Sequence, residues 1–163
     1  MTFANFKKRS ESGFTLIELL LVIAIISILL VVVFAALNPA TRLAESRNAN
    51  RWSNVNQLLT AIHECIVDND GSFTACGLTN DGTLRQIGSC GSGGAANCAG
   101  ADPACLDLEA NTEMDNYIAS MPKDPTSAGT AATTGYSVNV ATTGIVTVSS
   151  CLAEASEVIS VSR

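Results

Sequence analysis

Residues 14–37 read FTLIELLLVIAIISILLVVVFAAL, an apolar stretch of 24 residues in which Glu18 is the only charged residue. At about 1.5 Å per residue, a helix of this length spans roughly 36 Å. This is enough to cross the hydrocarbon core of a bilayer, which is about 30 Å thick. The stretch therefore predicts a membrane-spanning helix over residues 14–37.

A basic cluster, Lys7, Lys8 and Arg9, precedes the apolar stretch, and no comparable cluster follows it. By the positive-inside rule, this asymmetry places the N-terminus in the cytoplasm and everything after Leu37 on the outer side. Two alternatives share these features. One is an ordinary secretory signal peptide, although its apolar region would be only about 7–15 residues long. The other is a signal anchor that carries an unrelated outer domain.

Glu18 is the residue that separates these interpretations. An ionisable group inside an apolar span costs roughly 2.5–3.5 kcal/mol on insertion scales and usually marks a function or a partner. If the chain were cut after Gly13, the new α-amino group of Phe14 would supply the missing cation, on the same subunit or on a neighbour. Gly13 suits such a cut because it has no side chain to obstruct a protease. The alternative is a protonated Glu18 near the lipid headgroups.

The basic leader, Gly13 and the following FTLIELLLVIAI together resemble the class III signal of type IV pilins and type II secretion pseudopilins. The resemblance is strong over residues 7–67 and is limited to the general layout beyond them. It implies that a prepilin peptidase cuts between Gly13 and Phe14 and methylates Phe14. It also implies that Glu18 is required for assembly.

By this resemblance, the chain is a pilin, a structural subunit that polymerises into a type IV pilus-like filament, or alternatively a type II secretion pseudopilin. The implied partners are further copies of the chain, the prepilin peptidase, the assembly platform and minor pilins. The precursor would be a single-pass protein of the cytoplasmic membrane, and the filament would be extracellular or periplasmic. Outside the family, the alternative is a monomeric, signal-anchored extracytoplasmic binding domain.

Four segments are expected along the chain: a leader at residues 1–13, a transmembrane and filament-core helix at 14–37, an amphipathic continuation at 38–67 and an extracytoplasmic globular head at 68–163. Pro39 removes a helix hydrogen bond and clashes with the preceding turn, which predicts a kink or break there.

The amphipathic continuation carries apolar residues at alternating spacings of three and four, which predicts one buried stripe. Its arginines are expected to form a solvated or subunit-facing stripe. The apolar residues are Trp52, Val55, Leu59, Ile62 and Ile66, and the arginines are Arg42, Arg47 and Arg51.

The head is expected to complete an α+β fold, in which the long N-terminal helix packs on a small antiparallel sheet of about three strands. Three apolar runs predict these strands as a meander. Residues 68–103 predict an irregular, cysteine-rich loop region, and the stretch from Asn111 to Pro122 predicts a short capped helix. The runs are Tyr136, Val138 and Val140, then Val146 and Val148, then Val158, Ile159 and Val161.

All six cysteines follow the apolar stretch, in a region rich in glycine and serine. An even number in a small outer domain favours disulfides, and free buried thiols or a metal site are the alternatives. The sequence does not choose among the possible pairings, although Cys151 could tie the end of the second strand to the loop region. The disulfide candidates are Cys65, Cys76, Cys90, Cys98, Cys105 and Cys151.

Several function classes are not supported. The net charge is −6, and losing residues 1–13 would remove three positive charges and one negative charge, leaving about −8. This balance argues against nucleic-acid binding. The lone His63 and Cys65 lie on different faces of one helix and form no catalytic dyad. Asp68 to Gly71 indicates a turn rather than a calcium loop. We expect no enzyme activity, cofactor or metal.

Overall fold

A computed structural model of the chain describes residues 13–91 and 97–163. The predicted leader lies outside the described residues, except for Gly13. Contacts divide the chain after Pro39 into two compact units, a short N-terminal unit and a larger unit that runs from Ala40 to Arg163.

Helix α1, Leu16–Leu37, forms most of the described part of the first unit, and none of its residues is buried. Its apolar side chains point outward on every side, and the helix is long and apolar enough to cross a membrane. The Ser27 hydroxyl donates to the carbonyl of Ile23 at 2.7 Å, which satisfies this polar group within the helix.

The first helix ends at Leu37, two residues before Pro39. Asn38 adopts a left-handed conformation, with φ 38° and ψ 77°, and helix α2, Pro39–Asp68, begins directly after it. A proline disfavours the helical conformation in the residue before it, and asparagine tolerates the left-handed region better than most residues. Proline itself suits the first position of a helix, where its missing N–H is not needed.

Helix α2 packs one face on a five-stranded sheet, and the α+β fold predicted from the sequence is confirmed. Its buried stripe contains four of the five predicted residues, while Trp52 is only half-buried. Leu58, Ala61 and Cys65 widen the stripe. On the sheet side, the core contains Ile87, Tyr136, Val138, Val140, Val146, Val148 and Ile159.

The sheet has the strand order β2-β1-β3-β4-β5. Strands β3, β4 and β5 form the predicted antiparallel meander, and β1 pairs antiparallel with β3 on the other side. Edge strand β2 runs parallel to β1. The strands are β1 Leu84–Ile87, β2 Asp102–Leu106, β3 Tyr136–Val140, β4 Val146–Ser150 and β5 Ser160–Ser162.

Two local expectations are wrong. Strand β1 lies inside residues 68–103, which the sequence predicts to be irregular. The strand gives no signal in the sequence, because Gln86 is as buried as Ile87 and apolar and polar residues do not alternate. The short helix predicted after Asn111 is reduced to one turn of 3₁₀-helix, Met114–Asn116. The buried side chain of Met114 fixes that turn to the core.

Three disulfides crosslink the second unit. Cys65 pairs with Cys76, Cys90 with Cys105 and Cys98 with Cys151, and no cysteine is free. The paired Cα atoms lie 6.0, 5.7 and 4.9 Å apart, within the range that disulfides span. The crosslinks supplement a core that contains few aromatic side chains.

The expectation that Arg51 lies on a solvated or subunit-facing stripe is wrong, because its side chain is 0% exposed. Its Nε donates to Asp124 Oδ2 at 2.6 Å and its Nη2 to Asp124 Oδ1 at 3.0 Å. Nη1 donates to Glu154 Oε2 at 2.7 Å. Arg51 precedes Val55 by four residues, so it continues the buried stripe of α2.

The connection between β4 and β5 is fastened to the same part of α2. Arg47 donates to both carboxylate oxygens of Glu154 at 2.6 Å. Asn48 and Trp52 donate to the two oxygens of Glu157 at 2.6 and 2.7 Å. Together with Arg51, four side chains of α2 therefore hold the two acidic side chains of the connection.

Asp124 is positioned by its own neighbours as well as by Arg51. Its backbone N–H donates to the carbonyl of Thr134 at 2.8 Å, and the Thr126 hydroxyl donates to Oδ1 at 2.6 Å. A Cβ added to Gly135 would lie 2.9 Å from the Asp124 Cβ, so only glycine leaves room for this approach.

The two acids of this cluster have lowered pKa values. Hydrogen bonds from Arg47 and then Arg51 lower the pKa of Glu154 to about 2. Burial alone would raise the pKa of Asp124, but the hydrogen bonds from Arg51 and Thr126 outweigh it and hold that pKa below its usual value. Both acids are therefore charged at neutral pH.

Replacing Arg51 by methionine should strongly destabilise the second unit. Removing one partner of a buried ion pair leaves the other charge unpaired, which costs about 3–5 kcal/mol. Denaturant unfolding of the full-length chain in detergent micelles would measure the loss. Arg42→Met is the matched control, because its ion pair with Glu45 is exposed and worth at most about 1 kcal/mol. Equal losses in the two variants would contradict a special role for Arg51.

The parent chain, with no substitution, should lose stability in acid. Because the folded pKa of Glu154 lies below its ordinary value of 4.5, its contribution is complete above that value and disappears as the pH falls toward 2. The pKa of Asp124 is also lowered in the folded chain, so its contribution to stability also decreases as the pH falls. The free energy of unfolding, measured between about pH 6 and pH 2, should therefore decrease. Glu154→Gln should flatten this decrease, and an unchanged slope would contradict the assignment.

Candidate processing and assembly site

The start of α1 carries a reciprocal cap built from Thr15 and Glu18. Thr15 is the N-cap residue, with φ −81° and ψ 150°. Its hydroxyl accepts from the Glu18 N–H at 3.3 Å, and Glu18 Oε2 accepts from the Thr15 N–H at 3.0 Å. The Thr15 hydroxyl also donates to Glu18 Oε2 at 2.8 Å. This is a capping box, which satisfies the free N–H groups at a helix start.

The predicted cleavage junction lies directly before this cap. A Cβ added to Gly13 would meet nothing within 4 Å, and the Phe14 side chain is 81% exposed. Gly13, Phe14, Thr15 and Glu18 border the same surface depression. The structure thus brings three of the predicted site residues, Gly13, Phe14 and Glu18, to one end of α1.

The other predicted site residues do not join this cluster. Pro39 starts α2, and the six cysteines belong to the second unit, where they form crosslinks. The basic residues Lys7, Lys8 and Arg9 lie outside the described residues.

Comparison with known protein families decides what this end of the chain is. Residues 8–34 match the family model described as the prokaryotic N-terminal methylation motif. The chain carries the class III signal of type IV pilins and pseudopilins. Over these residues the resemblance predicted from the sequence is confirmed, and the chain carries a prepilin-type signal. The match covers the signal and most of α1, and none of the second unit.

No curated protein and no solved structure matched the chain in the two other comparisons. The second unit is therefore characterised by its own residues and contacts alone.

Thr15 is a residue of this site that the sequence analysis did not predict. The pattern Thr15-Leu16-Ile17-Glu18 is a threonine followed three residues later by a glutamate, just before an apolar run. That pattern predicts a capping box, and it was available from the sequence. The cap gives Glu18 a polar partner at the edge of the apolar helix, in addition to any partner on another chain.

Residue types that bind metals are not clustered in the part of the chain that the structure describes. In residues 13–91 and 97–163, no group of three or more His, Cys, Asp or Glu side chains is placed to hold a metal ion. His63 is half-buried on α2. Cys65, two residues further along the helix, forms a disulfide with Cys76.

Thr15→Val should weaken the cap while leaving the rest of α1 helical. Losing an N-cap hydroxyl costs typically about 1 kcal/mol, which corresponds to roughly fivefold faster opening. Amide hydrogen exchange of the Glu18 N–H, followed by NMR in micelles, should accelerate by that factor. Thr15→Ser keeps the hydroxyl and should exchange at the parent rate. Equal exchange in the parent and Thr15→Val would refute the capping box.

Proposed function

We propose that this chain is a prepilin whose mature form is a pilin, a structural subunit that polymerises into a type IV pilus-like filament. In this proposal, prepilin peptidase cuts between Gly13 and Phe14 and methylates the new N-terminus of Phe14. The observation that carries the proposal is that the methylation motif includes most of a helix that has no buried residue.

The surface of α1 supports polymerisation as the fate of the mature chain. A helix that is apolar on all sides is stable in a bilayer or among other helices, and not in water. Before cleavage, the membrane would cover α1. After cleavage, the same surface would be covered by the α1 helices of neighbouring subunits, so the chain would exchange one apolar environment for another.

The geometry of Glu18 supports a pairing with the amine that cleavage creates. Among the hydrogen bonds of the described residues, those to the Glu18 carboxylate use Oε2 and leave Oε1 for another donor. The new Phe14 amine of a neighbouring subunit would bring a positive charge to this oxygen. A charge-assisted hydrogen bond in an apolar surrounding would be stronger than one in water.

The second unit would serve as the head that each subunit displays on the filament surface. Its disulfides and the buried Arg51–Asp124 pair would keep it folded outside the cell or in the periplasm. The proposed partners are other copies of the chain, the prepilin peptidase, the assembly platform and minor pilins. We propose a structural role and no enzymatic one.

Glu18→Ala should deplete filaments while membrane insertion and leader cleavage continue. The variant loses the carboxylate that would attract a neighbouring amine, but α1 becomes more apolar and still inserts. Filament yield by electron microscopy, membrane content by immunoblot and the size shift on cleavage would be measured together. Glu45→Ala, at an exposed glutamate of α2, is the control and should assemble normally. Parental filament yield from Glu18→Ala would sink the proposed pairing.

Electron microscopy would also separate the pilin proposal from its alternatives. Long surface fibres that contain the chain at native expression would support a pilin. Short fibres, or fibres that require overexpression, would indicate a type II secretion pseudopilin. A chain that never assembles would indicate a monomeric anchored domain.

A further inference from the structure

Two of the three disulfides interlace along the sequence. Cys98 lies between Cys90 and Cys105, which pair with each other, and its own partner is Cys151, 53 residues further on. The remaining disulfide, Cys65–Cys76, joins cysteines that are neighbours in the order of cysteines along the chain. Only the Cys65–Cys76 disulfide therefore joins two cysteines that follow one another in the order of cysteines along the chain.

The interlaced pairing is at odds with the order in which the cysteines would leave the membrane. With the N-terminus inside, the head is exported after α1, and its cysteines emerge in sequence order. Cys98 then meets Cys90 and Cys105, eight and seven residues away, before Cys151 has appeared. By loop entropy alone, closing a 7-residue loop is favoured about 20-fold over closing a 53-residue loop.

The fold also delays the native partner of Cys98. The Cys98 side chain is 2% exposed, and its sulfur lies 3.8 Å from the carbonyl oxygen of Tyr136, the first residue of β3. Cys151 directly follows β4, and its N–H donates to the carbonyl of Gly135 at 2.9 Å. The two cysteines meet only when β3 and β4 are paired, and by then short-range disulfides have had time to form.

We propose that the exported head is a substrate of a thiol–disulfide isomerase, acting in addition to the oxidant that forms its disulfides. A protein disulfide oxidant accepts two electrons and two protons from each cysteine pair of the head. The isomerase thiolate then attacks a non-native disulfide such as Cys98–Cys105 and releases one cysteine as a thiolate. A cysteine of the head attacks the resulting mixed disulfide, so the isomerase thiolate is regenerated and no net oxidation occurs.

The surroundings of the native pairs explain why exchange would stop once folding is complete. Cys65, Cys76 and Cys98 are buried, so an external thiolate has little access to them in the folded head. Non-native disulfides prevent the strands from closing and stay accessible. Burial would thus protect the native Cys65–Cys76 and Cys98–Cys151 disulfides, while exposure would return incorrect ones to the isomerase.

The proposal depends on the proposed export of the second unit and not on filament assembly. The experiment therefore reads disulfides and filaments separately. The full-length chain would be expressed in a Gram-negative host that retains its periplasmic disulfide oxidant, with or without its periplasmic isomerase. After thiols are blocked, non-reducing peptide mapping would give the fraction of chains with the Cys98–Cys151 pair.

Loss of the isomerase should lower the Cys98–Cys151 fraction several-fold and enrich pairs among Cys90, Cys98 and Cys105. The double variant Cys98→Ser with Cys151→Ser leaves only consecutive pairs, and the yield of its Cys90–Cys105 pair should no longer depend on the isomerase. Cys65→Ser with Cys76→Ser removes the consecutive pair and should keep the dependence. An equal Cys98–Cys151 fraction in both hosts would overturn the proposal.

If a cysteine variant does not fold, refolding of the purified parent chain tests whether the isomerase is needed for native disulfide pairing. The reduced full-length chain in detergent micelles would be oxidised rapidly with diamide and then mixed with a purified isomerase. Native pairing should rise several-fold with the isomerase and stay low with a variant that lacks its attacking cysteine. Native pairing that is complete before the isomerase is added would overturn the proposal. Filament defects with normal disulfides would count against the proposed function alone.

Discussion

An apolar helix that buries nothing within its own chain is the constraint on which the rest of this protein depends. Every residue of α1 is exposed, so its stability must come from a bilayer or from other chains. Glu18 is the one charged group on this surface, and Thr15 partly satisfies it through the capping box. The signal, the cap and the uncovered apolar surface of α1 together fit a segment that is stable only in an apolar environment outside its own chain.

The second unit is stabilised in a different way. Its core contains few aromatic residues, and the helix is fastened to the loops around it by the buried Arg51 and by three disulfides. A buried ion pair gains little over an apolar contact of the same size, but it is costly to break on one side. The Arg51 cluster therefore specifies which loop lies on which turn of α2, more than it adds to stability.

The sequence predicted those parts of the structure whose signal is local. Length and hydropathy predicted α1, and strict alternation predicted the strands around Val138 and Val148. Long-range features were missed. Arg51 is a charged residue on an apolar stripe, and its burial depends on Asp124, 73 residues away. Strand β1 depends on pairing with β3, and its buried Gln86 breaks the alternation on which a strand prediction depends. Thr15 could have been predicted, since the capping-box pattern is local.

Under the proposed function, the chain is processed at Gly13 and matured for assembly. Mass spectrometry of the N-terminus of the mature protein tests it most directly, using protein isolated from membranes and from any filaments. The account predicts a chain that begins at Phe14 and carries one methyl group on its α-amino nitrogen. A mature chain that still begins at Met1, or one that begins near Leu37, would contradict it.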